Sequence, residues 1–111
     1  MKLAILILNQ EEQLESLLEG YVEIGITGAT IIDSIGMGHI LSSDVPIFAG
    51  LRFMFSGSRP YNKTVMSVIK DEKVKPLKEL ITKVLGPLAE SGSGIFFVID
   101  IGEVIGLKPE I

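Results

Sequence analysis

Two strand-helix-strand patterns follow one another in this chain, and both helices are apolar along one side only. Together these observations predict an α+β sandwich of the ferredoxin-like βαββαβ type, an antiparallel sheet with two helices on one face. The 111 residues, 47% of them hydrophobic, fit a single domain over 1–111. A chain of this length buries roughly two thirds of the surface its unfolded form exposes, enough for one core.

The first strand is the run Leu3-Ala4-Ile5-Leu6-Ile7-Leu8, stopped by Asn9-Gln10-Glu11-Glu12. It is far short of the ~18 apolar residues of a membrane span. It also lacks the small-residue cleavage site of a secretory leader, so the expectation is a cytoplasmic protein that does not span a membrane. Asn9 stands three residues before Glu12, the spacing of a helix N-cap with a reciprocal acidic partner. Leu14, Leu17, Leu18, Tyr21 and Val22 then recur at helical spacing, with Glu12, Glu15, Ser16, Glu19 and Glu23 on the opposite arc. Gly25 suits a left-handed helix end, and Thr27-Gly28 lead into the β-branched strand Ala29–Ile35.

The second unit starts with the strand Thr64–Lys70 and a helix with apolar positions Val74, Leu77, Leu80, Ile81, Val84 and Leu85. Pro76 fits its first turn and Gly86-Pro87 its end. Glu90–Gly94 reads as a turn before the last long strand, Ile95–Ile101, and Val104-Ile105-Gly106-Leu107 as a short extra strand. Between the units, residues 36–62 form a connection longer than the ~12–15 residues that loops without structure or function normally reach. Ile40, Leu41, Val45, Ile47, Phe48, Leu51, Phe53, Met54 and Phe55 make it too apolar to stay solvated. It either docks on its own or a neighbouring subunit or rearranges as a partner-binding element. Ser43 or Asp44 offers a helix cap ahead of Pro46, and Ser56–Pro60 an exit turn.

The strands do not alternate apolar with polar. Leu3, Ile5 and Ile7 lie to one side of the first and Ala4, Leu6 and Leu8 to the other; Ile95, Phe97, Ile99 and Ile101 oppose Phe96 and Val98 in the last. Helices on one face leave the other in need of a cover, and self-association through the sheets is expected to supply it.

A net charge of −4, from 10 basic and 14 acidic side chains, argues against a nucleic-acid partner. The absence of cysteine excludes thiol catalysis, disulfides and cysteine-ligated zinc. His39 is the sole histidine; it is either an ordinary polar loop residue or a ligand contact. No residues form a catalytic or metal-ligating constellation, so an enzyme is not expected. Gly36-Met37-Gly38 follows one strand and Gly92-Ser93-Gly94 precedes another. Each lets backbone N–H groups approach an anion or makes a tight turn, and neither is a P-loop.

Glu23-Ile24-Gly25-Ile26-Thr27-Gly28-Ala29-Thr30, then Gly36-Met37-Gly38, then Gly92-Ser93-Gly94-Ile95-Phe96-Phe97-Val98-Ile99-Asp100 resemble the PII nitrogen-regulatory signalling family in order and spacing. The resemblance covers both units and implies a trimer packed through its sheets, with adenine nucleotides in clefts between subunits. On that basis Gly28 and Thr30 match positions near the adenine, and Gly36, Met37 and Gly38 the base of the long T-loop. Gly92, Ser93 and Gly94 match the phosphate-cradling B-loop. The cationic positions differ: His39 replaces an arginine, Ile95 a lysine, and Gly106 and Lys108 two arginines. Each charge-assisted hydrogen bond is worth about 1.5–3 kcal/mol, so triphosphate affinity is expected to fall by several powers of ten unless Arg59, Lys63 or another residue compensates. The T-loop of the family is polar and carries a modifiable tyrosine, whereas segment 36–62 is apolar and Tyr61 is no equivalent.

The expected function is that of a divergent PII-like homotrimer whose small-molecule effector, a small anion or an adenine nucleotide (ADP, AMP or ATP), alters contact with a target protein such as a transporter or metabolic enzyme. The alternative is a trimeric metal-related or scaffold protein like the CutA group, and a third reading is an interface enzyme using His39, Lys63 or Lys108. The candidate binding residues are Gly28, Thr30, Gly36, Met37, Gly38, His39, Gly92, Ser93, Gly94 and Lys108.

Overall fold

The computed structural model describes residues 1–37 and 61–108. Strands β1 (Lys2–Leu8), β2 (Thr30–Ile35), β3 (Tyr61–Ile69) and β4 (Gly94–Asp100) form one sheet in the order β2-β3-β1-β4, with every neighbouring pair antiparallel. Helix α1 (Leu14–Glu23) follows β1, α2 (Val74–Leu85) follows β3, and a short α3 (Leu88–Ser91) precedes β4. This is the expected α+β sandwich of the ferredoxin-like type.

Burial alternates along β1 because the helices cover one face: Ala4, Leu6 and Leu8 are buried, while Leu3, Ile5 and Ile7 are half-buried on the other side. Cross-strand register carries the division through the sheet. Val65, Ser67 and Ile69 of β3 lie with Ala4 and Leu6 on the helix side, and meet Leu17, Tyr21, Leu77, Ile81 and Leu85 of the helices in the core. The two helices approach closely at Gly20, where a Cβ would lie 2.4 Å from Leu80 Cδ1. Two exposed cross-strand ion pairs, Lys2 with Asp100 and Lys63 with Asp33, sit at the ends of this face. Such pairs add little energy, but a one-residue slip would separate them as it turned the core residues outward.

The opposite face is apolar and uncovered by the described residues. Leu3, Ile5 and Ile7 lie beside Ile99, Phe97 and Ile95 of β4 on one flank and Val68 and Met66 of β3 on the other. Ile95 is 61% exposed, Phe97 40% and Ile99 48%. Among the described residues its polar side chains, Thr30, Ser34, Asn62 and Thr64, gather at the β2–β3 corner around Ile32.

Helix α1 ends as the sequence predicts. Gly25 has φ +90°, its N–H donates to the Val22 carbonyl at 3.0 Å, and the Ile26 N–H donates to the Tyr21 carbonyl at 2.8 Å. This double closure seals the helix end and buries Ile26. Lys73 Nζ adds a 2.6 Å bond to the Ile24 carbonyl, placing a cation at the negative pole of the helix.

Several expectations are corrected. Asn9 does not cap α1: a 3-10 turn, Glu11–Gln13, precedes the helix, and no side-chain cap bond is made there. The Asn9 amide instead donates to the Gly92 carbonyl at 2.9 Å. Val22 is 61% exposed and outside the core. Strand β3 begins at Tyr61, so Tyr61, Asn62 and Lys63 belong to the sheet and not to the connection or its approach. Glu90 and Ser91 lie in α3, which shortens the expected turn to Gly92-Ser93. Residues 104–107 form no strand, as no sheet partner is aligned with them. The expected cap at Ser43 or Asp44, the exit turn Ser56–Pro60 and the apolar run Ile40–Phe55 lie outside the described residues.

Candidate functional site

Gly28 and Thr30, two residues apart, and Lys108, far from both in the chain, line one cavity of about 550 Å³, within the range of small-molecule sites. Its position follows from strand lengths. β2 starts at Thr30, opposite Met66, whereas β3 runs on to Ile69, leaving a gap beside the end of β3. The turn Ile26–Ala29 borders the gap on one side, and the chain leaving β4 brings Gly106, Leu107 and Lys108 to the other. Gly106 has φ +90°, a left-handed bend that glycine takes without strain. Leu3, Ile26, Met66, Val68 and Leu107 give the cavity an apolar wall, with Thr27, Thr30, Ser67 and Lys108 as polar lining residues. A Cβ on Gly28 would meet no atom within 4 Å, so its place is open space at the rim of the cavity.

The same turn separates a smaller hollow of about 210 Å³, lined by Leu18, Tyr21, Val22 and Ile31, from the first. Burial pushes the Tyr21 phenol up to about 12, so it is neutral at physiological pH.

The remaining described candidates lie at the opposite end of the sheet. Gly36 and Met37 follow Ile35, and Gly94 pairs with Leu8. From Leu3 to Leu8 is about 17 Å at a strand's rise. The structure therefore brings Gly28, Thr30 and Lys108 together in one chain, and keeps Gly36, Met37, Gly92, Ser93 and Gly94 away from them. Gly38 and His39 lie outside the described residues, as does Arg59.

At this second end the Gly92-Ser93-Gly94 turn is tied inward. Gly92 has φ +66°, and its N–H donates to the Leu88 carbonyl at 3.1 Å. The Ser93 N–H reaches Ser91 Oγ at 3.3 Å, and the fully buried Ser93 hydroxyl donates to Ser91 Oγ and accepts from Gln10 Nε2, both at 2.8 Å. Gly94 is glycine for packing, since a Cβ there would stand 2.1 Å from the Ile7 carbonyl oxygen. A chain of polar contacts crosses the sheet from this turn: Asn9 Nδ2 to the Gly92 carbonyl, Asn62 Nδ2 to Asn9 Oδ1 at 3.4 Å, and Ser34 Oγ to Asn62 Oδ1. It ends one residue before Ile35, where β2 leaves the sheet.

Sequence reasoning did not identify the apolar wall or this polar chain, because both depend on cross-strand register. Lys63, expected as a compensating cation, is paired with Asp33, which raises the lysine's pKa. Among the described residues no three His, Cys, Asp or Glu side chains are placed to hold a metal, and no helix is long and apolar enough to cross a membrane. In comparisons with known proteins, no protein-family model and no curated protein matches this chain.

Proposed function

We propose that this chain is a divergent PII-like regulatory protein, a homotrimer that binds a small anion or an adenine nucleotide between subunits and passes its occupancy to a target protein such as a transporter or metabolic enzyme. The observation that carries the reading is the convergence of Gly28, Thr30 and Lys108 on one cavity. Those three were selected from sequence alone, two from one end of the chain and one from the other. The apolar wall suits a flat heterocycle and the single ammonium an anion.

The trimer is supported by the apolar sheet face that the described residues leave uncovered and by the separation of the two candidate groups. One ligand touches both Lys108 and the Gly92–Gly94 turn only when two copies bring opposite ends of their sheets together. Ligand acts by favouring one arrangement of the protein over another, which requires different affinity for the two. The polar chain from Gly92 through Asn9 and Asn62 to Ser34 is the physical connection between the turn and the exit of β2.

Titration calorimetry with ATP, ADP, AMP and cyclic AMP, combined with light scattering, tests this reading. A trimer that binds at least one of them at micromolar to millimolar concentration is the expected result. A stable monomer, or no heat with any of the four, would overturn it.

A further inference from the structure

Resting on the nucleotide reading above, we infer that the cavity at Gly28, Thr30 and Lys108 selects a nucleotide with a single phosphate over a polyphosphate. Among the described residues the lining carries one cation, Lys108, and its other polar side chains, Thr27, Thr30 and Ser67, are uncharged. Lys2, Lys63 and Lys73 are committed elsewhere, to Asp100, Asp33 and the Ile24 carbonyl.

The turn that would have to hold further phosphates is occupied independently of this. The N–H groups of Gly92 and Ser93 bond to Leu88 and Ser91, and the Ser93 hydroxyl is buried between Ser91 and Gln10. The side chain next after the turn is Ile95, exposed and apolar. A triphosphate brought against this surface would exchange water for apolar neighbours at several charged oxygens, which costs more than one ammonium returns. A single phosphate, with a charge of about −1.5 to −2 at pH 7, leaves far less charge unmatched by Lys108 than a triphosphate does. The base and ribose are accommodated by the gap beside β3, where Ser67 and Val68 run past the start of β2 and, among the described residues, no strand pairs with them on that side.

The test is calorimetry of the full chain with adenosine, AMP and magnesium-ATP, repeated on Lys108→Gln. AMP is expected to bind at least as tightly as ATP. Lys108→Gln, at an exposed position, should weaken AMP by about tenfold and adenosine by less than about twofold, with an unchanged melting temperature. ATP binding about tenfold or more tightly than AMP would overturn the inference and leave the nucleotide reading standing. Equal losses for AMP and adenosine in the variant would overturn it as well, by removing Lys108 from the phosphate. If none of the three binds, the nucleotide reading fails and takes this inference with it.

Discussion

Tyr21 sits in the core between α1 and the sheet, 2% exposed, and its neutral form is the one the fold accepts. Its folded pKa, about 12, lies above the ~10 of an unfolded tyrosine, so the stability it contributes is complete below pH ~10. That contribution is lost as pH rises from there towards 12. Tyr21→Phe keeps the ring and removes the titration, so urea midpoints measured from pH 9 to 12 should fall less steeply in the variant, by about 2 kcal/mol at the alkaline end. Ser67 raises the opposite question, because its buried hydroxyl has no partner among the described residues. Ser67→Ala removes an unsatisfied donor and should raise stability by about 1 kcal/mol in urea unfolding; a loss would mean that the hydroxyl is bonded after all. Neither consequence was legible in the sequence. Tyr21 was readable as a helical core position by its spacing, but the strand Thr64–Lys70 gave no side for Ser67 until its register with Ala4 put it under the helices.

The elements themselves were legible where periodicity and turn chemistry agreed. Gly25 was placed at the end of α1 from its position after the last apolar turn, and it holds φ +90° with Lys73 Nζ 2.7 Å from where a Cβ would be. Gly25→Ala should cost about 1 kcal/mol in thermal or urea unfolding, from backbone strain together with displacement of the lysine. Other elements were misread for physical reasons. Asn9 has a capping residue's chemistry, but its amide is drawn to Gly92 across the sheet, a partner 83 residues away that no local pattern reveals. Glycine in Gly92-Ser93-Gly94 admitted either an anion or a tight turn; the structure gives Gly94 a packing reason, its Cα hydrogens lying over the Ile7 carbonyl. Gly94→Ala should therefore destabilise the β1-β4 pair by about 2 kcal/mol or more, even with no ligand present, and loss of urea stability without any nucleotide is the measurement that separates packing from binding.

At the scale of the whole molecule the sheet has one face sealed by helices and one that the described residues leave open, and its open side is as apolar as many interiors. Strand patterning in the sequence showed that both sides were apolar and grouped the residues of each side; that Leu3, Ile5 and Ile7 adjoin Phe97 and Ile99 and that theirs is the open side became visible only with register and burial. An uncovered patch of this kind is a liability in a monomer and an interface in an assembly. If copies meet through it, folding and association are linked, and the melting temperature rises with protein concentration. Phe97→Asp tests the face directly. In the single chain Phe97 is already 40% exposed, so the substitution removes little of the core, while in an interface it buries an unpaired carboxylate. The expected outcome by sedimentation is a shift from a concentration-stable oligomer to a monomer at micromolar concentration, with the concentration dependence of melting abolished. Val22→Asp is the matching control, because Val22 is 61% exposed on α1, on the helix side of the molecule. An oligomer that survives Phe97→Asp but dissolves with Val22→Asp would place the contact on the helices and require a different cover for the sheet.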